Sequence, residues 1–223
     1  EDGGAAGSDV ALAPVEIEDL LLRPTVEIER GRIEGLLHGR RVLVTGGGGS
    51  IGSELCLRIA AFGASELAVV ENSEPALHRI TEDLQRIGSH TVVHGIIADV
   101  RDRKRIGRVF QTFAPDLVFH AAALKHVPYL EQDWDEAIKT NVFGSVNVLE
   151  AARQAGARAA VMISTDKAIE PVSMLGATKR FAEMYAQALD AEQAPGNREA
   201  PRFVAVRFGN VLGSNGSVVP KFK

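Results

Sequence analysis

Three glycines spaced three residues apart lie between a short apolar segment and the start of a helical pattern. The apolar segment is Val42-Leu43-Val44, and the helical pattern runs from Ser50 to Phe62. In a dinucleotide-binding fold, Gly46 would permit a tight turn, Gly49 would let backbone amides approach a pyrophosphate, and Gly52 would let the helix pack closely on the sheet. The helix N-terminus adds partial positive charge at the same place. The loop residues that we predict to contact such a cofactor are Gly46, Gly49, Ser50, Ile51 and Gly52.

Along the rest of the chain, apolar segments of strand length alternate with segments of helical period. Strands are predicted at 42–44, 67–70, 91–97, 117–120, 159–163 and 203–206. Helices are predicted at 50–62, from 74 onward, and at 103–113, 134–153 and 176–189. This alternation predicts an α/β fold, a Rossmann-type doubly wound parallel sheet with an incomplete C-terminal substrate lobe. The predicted domains are an N-terminal disordered segment and linker at 1–39, a dinucleotide-binding domain at 40–201, and the last strand with the start of that lobe at 202–223.

Composition argues against several other classes of protein. The formal net charge of −4 disfavours nucleic-acid binding. Cys56 is the only cysteine, so no disulfide framework is possible, which fits a reducing compartment. No apolar run approaches the ~20 residues of a membrane-spanning helix. The six histidines lack the spacing of metal ligands, so we predict no metal site.

Further candidates for cofactor contacts lie where the predicted strands end. Glu71 closes the second strand, where an acid can accept hydrogen bonds from the adenosine ribose and repel a 2′-phosphate, so NAD is favoured over NADP. Asp99 and Val100 follow the third strand, within expected reach of the adenine. Ala121-Ala122-Ala123 ends the fourth strand with side chains small enough to let a cofactor pass. The alternative at each of these positions is an ordinary strand-end or turn residue that contacts no cofactor.

A carboxylate and an amine stand side by side where another predicted strand ends. Val161-Met162-Ile163-Ser164 runs into Thr165-Asp166-Lys167, and Lys179 follows on the next predicted helix. Because ligands of open α/β sheets bind beyond the carboxyl ends of the strands, these side chains are expected to face the ligand crevice. Asp166 and Lys167 could then act as an acid and a base. The alternative is a surface ion pair in a turn, which would contribute little to stability.

Five longer segments carry a resemblance to a known family: 119–128 (FHAAALKHVP), 140–142 (TNV), 164–168 (STDKA), 175–180 (LGATKR) and 207–214 (RFGNVLGS). With the glycine loop, they make the chain similar to extended short-chain dehydrogenases/reductases. More specifically, it resembles bacterial nucleotide-sugar 4,6-dehydratases of the UDP-N-acetylglucosamine 4,6-dehydratase type, which serve polysaccharide biosynthesis. Residues 19–24 (DLLLRP) resemble the linker of the long, membrane-anchored members. The resemblance implies a cytoplasmic domain, anchored in the bacterial inner membrane through segments outside this chain, and a homo-oligomer.

The resemblance also implies NAD as the cofactor and a UDP-sugar as the substrate. It assigns a role to each residue of the reacting end, by which we mean Thr165-Asp166-Lys167 together with Lys179. The sugar would be oxidised at C4, Lys167 would remove the C5 proton, and Asp166 would protonate the leaving C6 hydroxyl. Thr165 would hydrogen-bond the C4 oxygen, and Lys179 would hold the nicotinamide ribose. The further residues that the resemblance assigns are Asn141 and Ser164 to the cofactor, and Lys125, His126 and Asn210 to the substrate.

One position departs from the wider superfamily, which often has a tyrosine four residues before the active-site lysine. Here that position is Leu175. In the long dehydratases that the chain resembles, the same position is often Met, which is not a tyrosine either. A leucine cannot act as a base, so the base for the C4 hydroxyl is open between Asp166 and a water relayed through Thr165. A nucleotide-sugar epimerase is the second hypothesis, although it normally needs the tyrosine. A non-catalytic dinucleotide-binding module is the third, and the Asp166-Lys167 pair argues against it.

Overall fold

The computed structural model of the chain describes residues 29–192, 200–209 and 211. Its strands are β1 (Arg41–Thr45), β2 (Glu66–Glu71), β3 (Val92–Ile97), β4 (Leu117–His120), β5 (Ala159–Thr165) and β6 (Arg202–Phe208). Its α-helices are α1 (Arg30–Leu37), α2 (Ser50–Ala61), α3 (Glu74–Arg86), α4 (Arg103–Phe113), α5 (Val127–Gln132), α6 (Trp134–Ala137), α7 (Ser145–Gln154) and α8 (Met174–Ala191). A π-helix at Ile138–Gly144 joins α6 to α7, and a 3₁₀ turn at Asp166–Ala168 follows β5. All these strands lie in one compact unit that begins at Gly31.

The six strands form one parallel sheet in the order β3-β2-β1-β4-β5-β6. The order reverses between β1 and β4, so the connections on either side of this point leave a crevice beyond the carboxyl ends of these two strands. Thr45, the last residue of β1, lies opposite Val70 of β2 and His120 of β4. The predicted α/β fold with a doubly wound parallel sheet is therefore confirmed.

Alternate residues of the sheet pack against helices on its two faces. Leu43 of β1 belongs to one buried cluster with Phe110 of α4, whereas its neighbours Val42 and Val44 belong to a second cluster with Ile59 of α2. These side chains are almost fully buried, and each such burial contributes roughly 1.5–3 kcal/mol. Both faces of the sheet are covered at its centre, which explains why β1 and β2 read as continuous apolar segments rather than alternating ones.

The structure differs from the sequence predictions at several places. The helix predicted at 134–153 is divided by the π-helix, which turns Asn141 into the interior. Residues 30–37 of the predicted linker form α1, whose Leu37 packs on the second cluster. The predicted last strand is present as β6, which pairs with β5 along its whole length. Among the described residues, no helix has the length and apolar character needed to cross a membrane. Residues 1–28, 193–199, Asn210 and 212–223 lie outside the described part of the chain.

Candidate active site

A cavity of about 250 Å³ lies beyond the carboxyl ends of β1, β2, β3 and β4, where the strand order reverses. Most of the strand-end candidates line it together with the first part of the glycine loop. The predicted residues in its wall are Gly46, Gly49, Glu71, Asp99, Val100, Ala121, Ala122 and Ala123. Ser50, Ile51 and Gly52 form the first turn of α2 behind the loop. The structure therefore brings together residues that the sequence separates by up to 77 positions (Gly46 to Ala123).

The glycine loop depends on the absence of side chains at two positions. Gly46 has a φ of +68°, and a Cβ added to it would lie 2.5 Å from the backbone nitrogen of Ala122. A Cβ on Gly52 would lie only 2.0 Å from the carbonyl oxygen of Gly46. Both clashes are with backbone atoms, so they cannot be relieved by turning a side chain. The close approach of α2 to the turn after β1 is therefore possible only with glycine.

Glu71 is fixed at the wall of the cavity by three backbone amides. Its Oε2 accepts a hydrogen bond from the amide of Gly48 at 3.0 Å, and its Oε1 accepts from Asn72 at 3.0 Å and Ser73 at 3.1 Å. The carboxylate therefore links the end of β2 to the glycine loop. A negative charge held at this place can accept hydrogen bonds from ribose hydroxyls and disfavours a second anionic group beside it.

Asp99 is held by Arg101, which sequence analysis did not assign to the site. The guanidinium donates to Asp99 Oδ2 from Nε at 2.9 Å and from Nη2 at 2.6 Å, and its Nη1 donates to Glu136 at 2.7 Å. The hydrogen bond from Arg101 holds the pKa of Asp99 below its usual range. Asp99 is thus a charged acceptor with a fixed orientation at the edge of the cavity.

A buried histidine, His120, joins the base of the glycine loop to the π-helix segment. Its Nδ1 lies 2.7 Å from Thr45 Oγ1, and its Nε2 lies 2.9 Å from Ser145 Oγ. The Ser145 hydroxyl donates to the carbonyl of Asn141 at 2.6 Å, so its only proton is used and it must accept from His120 Nε2. The ring is therefore assigned as neutral, with its proton on Nε2. Burial, assisted by the charge of Lys179, lowers the pKa of His120 to about 3.

Asn141 uses its side chain to hold the loop that follows β4. Its Oδ1 accepts from the amide of Leu124 at 2.9 Å, and its Nδ2 donates to the Leu124 carbonyl at 3.0 Å and to Thr178 Oγ1 at 3.2 Å. Sequence analysis assigned Asn141 to the cofactor. Because its amide is fully buried and bonded within the protein, it acts on the crevice through the loop that it holds.

The predicted acid–base pair, Asp166 and Lys167, lies in the 3₁₀ turn directly after β5. Lys167 Nζ donates to Asp166 Oδ1 at 3.1 Å, and the Thr165 hydroxyl donates to the same oxygen at 2.9 Å. The pKa of Asp166 is held below its usual value, first by the hydrogen bond from Lys167 and then by that from Thr165. About half of each side chain in the pair is exposed, 49% for Asp166 and 42% for Lys167. Both groups can therefore reach a ligand that lies over the carboxyl end of β5.

Lys179 lies beneath this pair, on the buried face of α8. Its Nζ donates to the carbonyl of Ile163 at 2.9 Å, and burial lowers its pKa to about 8. One turn earlier, Leu175 is buried with Leu130 and Ala137. An apolar contact thus occupies the position of the superfamily tyrosine, and no base is available there.

A buried carboxylate, Glu183, was missed by the sequence reading. It lies one turn after Lys179 and accepts hydrogen bonds from Ser164 Oγ at 2.7 Å, from Arg207 at 2.8 and 2.6 Å, and from Arg180 at 3.2 Å. Burial alone would raise the pKa of Glu183, but these hydrogen bonds outweigh it and hold the pKa below its usual value. Ser164, predicted to contact the cofactor, therefore directs its hydroxyl to Glu183.

The predicted substrate residues are less closely grouped. Lys125 and His126 are exposed in the loop before α5, and the ring of His126 packs edge-on against Tyr129 with 6.3 Å between centroids. Asn210 lies outside the described residues, but the preceding Gly209 would carry a Cβ 4.0 Å from Asp166 Oδ2. The end of β6 is therefore beside the acid–base pair. In the described ranges, no group of three or more His, Cys, Asp or Glu side chains could hold a metal ion.

Comparison with known proteins gives consistent matches over most of this chain. It is 47% identical over 210 residues to the "Probable polysaccharide biosynthesis protein EpsC" of Bacillus subtilis, which covers 94% of this chain and 34% of that protein. It is 36% identical over 188 residues to a "UDP-N-acetylglucosamine 4,6-dehydratase (inverting)" of Campylobacter jejuni, which covers 84% of this chain and 54% of that protein. The chain thus spans about a third to a half of these relatives.

Solved structures match in the same way. Pen from Bacillus thuringiensis superposes with a TM-score of 0.74 at 34% identity, covering 83% of this chain and 55% of that one. A UDP-glucose-4-epimerase from Stenotrophomonas maltophila, solved with bound NAD, superposes with a TM-score of 0.59 at 29% identity. The match covers 68% of this chain and 49% of the epimerase chain. The family model described as "Polysaccharide biosynthesis protein" matches residues 42–223. The resemblance predicted from the motifs is confirmed, and the chain belongs to this polysaccharide biosynthesis protein family, with a fold of the short-chain dehydrogenase/reductase type.

Proposed function

We propose that this chain contains the cofactor site and the acid–base residues of an NAD-dependent UDP-N-acetylglucosamine 4,6-dehydratase. The observation that carries the proposal is the Thr165–Asp166–Lys167 cluster at the carboxyl end of β5, the neighbour of β4 in the sheet, with Lys179 bonded to Ile163 of the same strand. A simple dehydrogenase moves only the proton of one hydroxyl group, so it has no use for both an acid and a base beside its cofactor. The dehydratase relative supports the substrate class and the reaction.

The residues of the crevice fit NAD. Gly46 and Gly52 permit the tight turn and the close approach of α2 that shape the loop, and Glu71 presents a fixed carboxylate where the adenosine ribose would lie. Asp99 offers a fixed acceptor for the adenine amino group. Bound NAD would supply the oxidant for C4 of the sugar and the reductant for C6. Lys179 would hold the nicotinamide ribose at the far end of the crevice.

The hydrogen bonds of the cluster support a balanced route for the protons. The Thr165 hydroxyl donates to Asp166, so it can pass the C4 hydroxyl proton to that carboxylate as the sugar is oxidised. Asp166 then carries the proton that the C6 hydroxyl needs in order to leave as water. Lys167, entering this step as a neutral amine, can then take the C5 proton and return it to C5 when C6 has been reduced.

This route gives one answer to the question of the C4 base. Leu175 is buried in an apolar cluster and carries no titratable group. The hydrogen bond from Thr165 to Asp166 supports Asp166, acting through Thr165, as that base. The same carboxylate would therefore serve first as base and later as acid, which is consistent with general acid–base catalysis by one group in both directions.

The test is to incubate the full-length protein with NAD and UDP-N-acetylglucosamine and to analyse the nucleotide sugar by mass spectrometry. We expect a product that has lost one water, and we expect the variants Asp166→Asn and Lys167→Ala to form it roughly 10²–10⁴-fold more slowly. An isomer of unchanged mass would instead favour the epimerase. Stable accumulation of NADH in step with substrate loss would favour a simple dehydrogenase.

The epimerase is retained as a second candidate because a UDP-glucose-4-epimerase shares the fold at 29% identity. The buried Leu175 argues against it, since an epimerase of this superfamily normally uses a tyrosine at this position. The same mass-spectrometric experiment separates the two candidates.

A further inference from the structure

Glu183 forms a buried connection between the ends of two strands that lead to the proposed site. Its side chain is only 1% exposed, yet it is bonded to Ser164 of β5 and, through both of its oxygens, to Arg207 of β6. Ser164 and Arg207 are direct partners in the sheet register. A single carboxylate from α8 thus bridges the two strands at their carboxyl ends.

The bridge lies directly before the residues that carry the proposed chemistry. Helix α8 holds two consecutive residues of β5, because Lys179 binds the carbonyl of Ile163 and Glu183 binds the hydroxyl of Ser164. The next residues are Thr165 and the acid–base pair. On the neighbouring strand, Arg207 is two residues before Gly209, which lies beside Asp166.

We propose that Glu183 is a positioning residue: with Arg207 it fixes the carboxyl ends of β5 and β6 against each other, so that Asp166 and Lys167 are held toward a substrate that lies over both strands. The inference rests on the proposed function of the acid–base pair. It adds two residues, Glu183 and Arg207, that touch neither the cofactor cavity nor the reacting atoms. Their contribution to catalysis would be geometric.

The chain offers a matched control at the opposite end of β6. Asp190 of the same helix accepts hydrogen bonds from the Arg202 guanidinium at 2.9 and 3.3 Å and from the amide of Phe203 at 2.9 Å. This connection joins the same helix to the same strand, again through a carboxylate and an arginine. It lies at the amino end of β6, away from the site. A purely structural role for such ties predicts similar effects at both ends, whereas a positioning role predicts an effect on catalysis at the carboxyl end alone.

The experiment compares Glu183→Gln with Asp190→Asn in the full-length protein, measuring kcat, KM, the Kd for NAD and hydrogen–deuterium exchange. Misplacement by about 1 Å can cost about 10²-fold in rate, so we expect Glu183→Gln to lower kcat by about that factor. We expect the Kd for NAD to change by less than about threefold, because the connection does not reach the glycine loop. Exchange should become at least about tenfold faster at 163–168 and 207–209, but not at 46–52. Asp190→Asn should leave kcat within about threefold of the unmodified protein.

Arg207→Lys provides a second variant if Glu183→Gln does not fold. It keeps the charge at a side chain that is 37% exposed, while it removes the two-pronged contact with Glu183. A normal kcat in the folded variants, or an equal loss of kcat in Asp190→Asn, would overturn the inference while leaving the dehydratase intact. If the unmodified protein releases no water from the substrate, the proposed function fails instead. Faster exchange confined to 163–168 and 207–209 would still support the coupling of the strand ends, and unchanged exchange would refute it.

Discussion

The two ends of the crevice differ in the kind of residue that forms their surface. At the glycine loop, the surface consists of backbone, glycine and alanine, and its shape depends on side chains that are absent. At the end of β5, the surface consists of charged side chains, with Asp166 and Lys167 half exposed above the buried Lys179 and Glu183. One end is suited to bind a cofactor by shape and backbone contact. The other is suited to move protons.

The difference also concerns how each end is held in place. The loop end is fixed by close contacts between the turn after β1 and the first turn of α2. The reacting end is fixed by hydrogen bonds between residues 16 to 24 positions apart, from Lys179 to Ile163 and from Glu183 to Ser164 and Arg207. Changes at one end should therefore affect binding and changes at the other should affect rate. This separation can be tested by substitution.

The largest effect is expected from the acid–base pair. Lys167→Ala and Asp166→Asn should each lower kcat by roughly 10²–10⁴-fold, the usual range for loss of a positioned acid or base. The Kd for NAD should change little, because neither residue lines the cavity at the glycine loop. The control is Lys139→Ala, which removes an exposed lysine paired with Asp135 and should leave kcat unchanged. Loss of NAD affinity in parallel with kcat would break the separation of the two ends.

The opposite pattern is expected at the glycine loop. Gly52→Ala would place a Cβ against the carbonyl of Gly46, and such overpacking costs typically about 1–3 kcal/mol. We expect weaker NAD binding and a lower Tm, measured by calorimetry and thermal unfolding. Gly107→Ala in α4 is the control, since a Cβ there meets nothing within 4 Å and alanine favours the helix. Equal behaviour of the two variants would show that the close contact at Gly52 does not shape the loop.

His120 connects the loop end to the interior, and its titration gives a prediction for stability. Its pKa is about 3 in the folded chain, whereas the ordinary pKa of histidine is 6.5, so the unfolded state binds more protons between these pH values. Stability should therefore fall as the pH decreases below 6.5, by about 2 kcal/mol between pH 7 and pH 5 from this group. The measurement is the free energy of unfolding of the unmodified chain and of His120→Gln at both pH values.

In His120→Gln this part of the pH dependence should be absent. The exposed His78 provides the control, because His78→Gln should keep the full dependence. The same slope in all three proteins would show that His120 does not remain neutral and buried.

The smallest of the expected effects concerns cofactor choice. Glu71→Gln removes a charge that would accept ribose hydrogen bonds, and a hydrogen bond to a charged group contributes about 1.5 kcal/mol or more. We expect NAD to bind about tenfold more weakly and the preference over NADP to decrease. Glu74→Gln, in the exposed first turn of α3, should change neither affinity. Tighter binding of NADP than of NAD by the unmodified protein would remove the ribose role from Glu71.

The same contrast explains how much could be predicted from the sequence. The glycines, the six strands and the order of helices follow from local patterns, because a turn or a buried strand is specified by neighbouring residues. Glu183 was missed because its partners Ser164 and Arg207 are distant in the chain and meet only in the folded sheet. The π-helix was missed because the α-helices on either side of it, which have 3.6 residues per turn, continue the same apolar pattern. The signal that was available for Glu183 is its position one helical turn after Lys179.

The most direct test of the account follows a label through the reaction. The full-length protein is incubated with NAD and with UDP-N-acetylglucosamine that carries deuterium at C4, and the product is analysed by NMR. The proposed site predicts a 4-keto-6-deoxy sugar with that deuterium at C6, because the atom removed at C4 is returned after Asp166 and Lys167 have promoted the loss of water. Deuterium returned to C4 in a sugar that keeps its C6 hydroxyl would contradict the account.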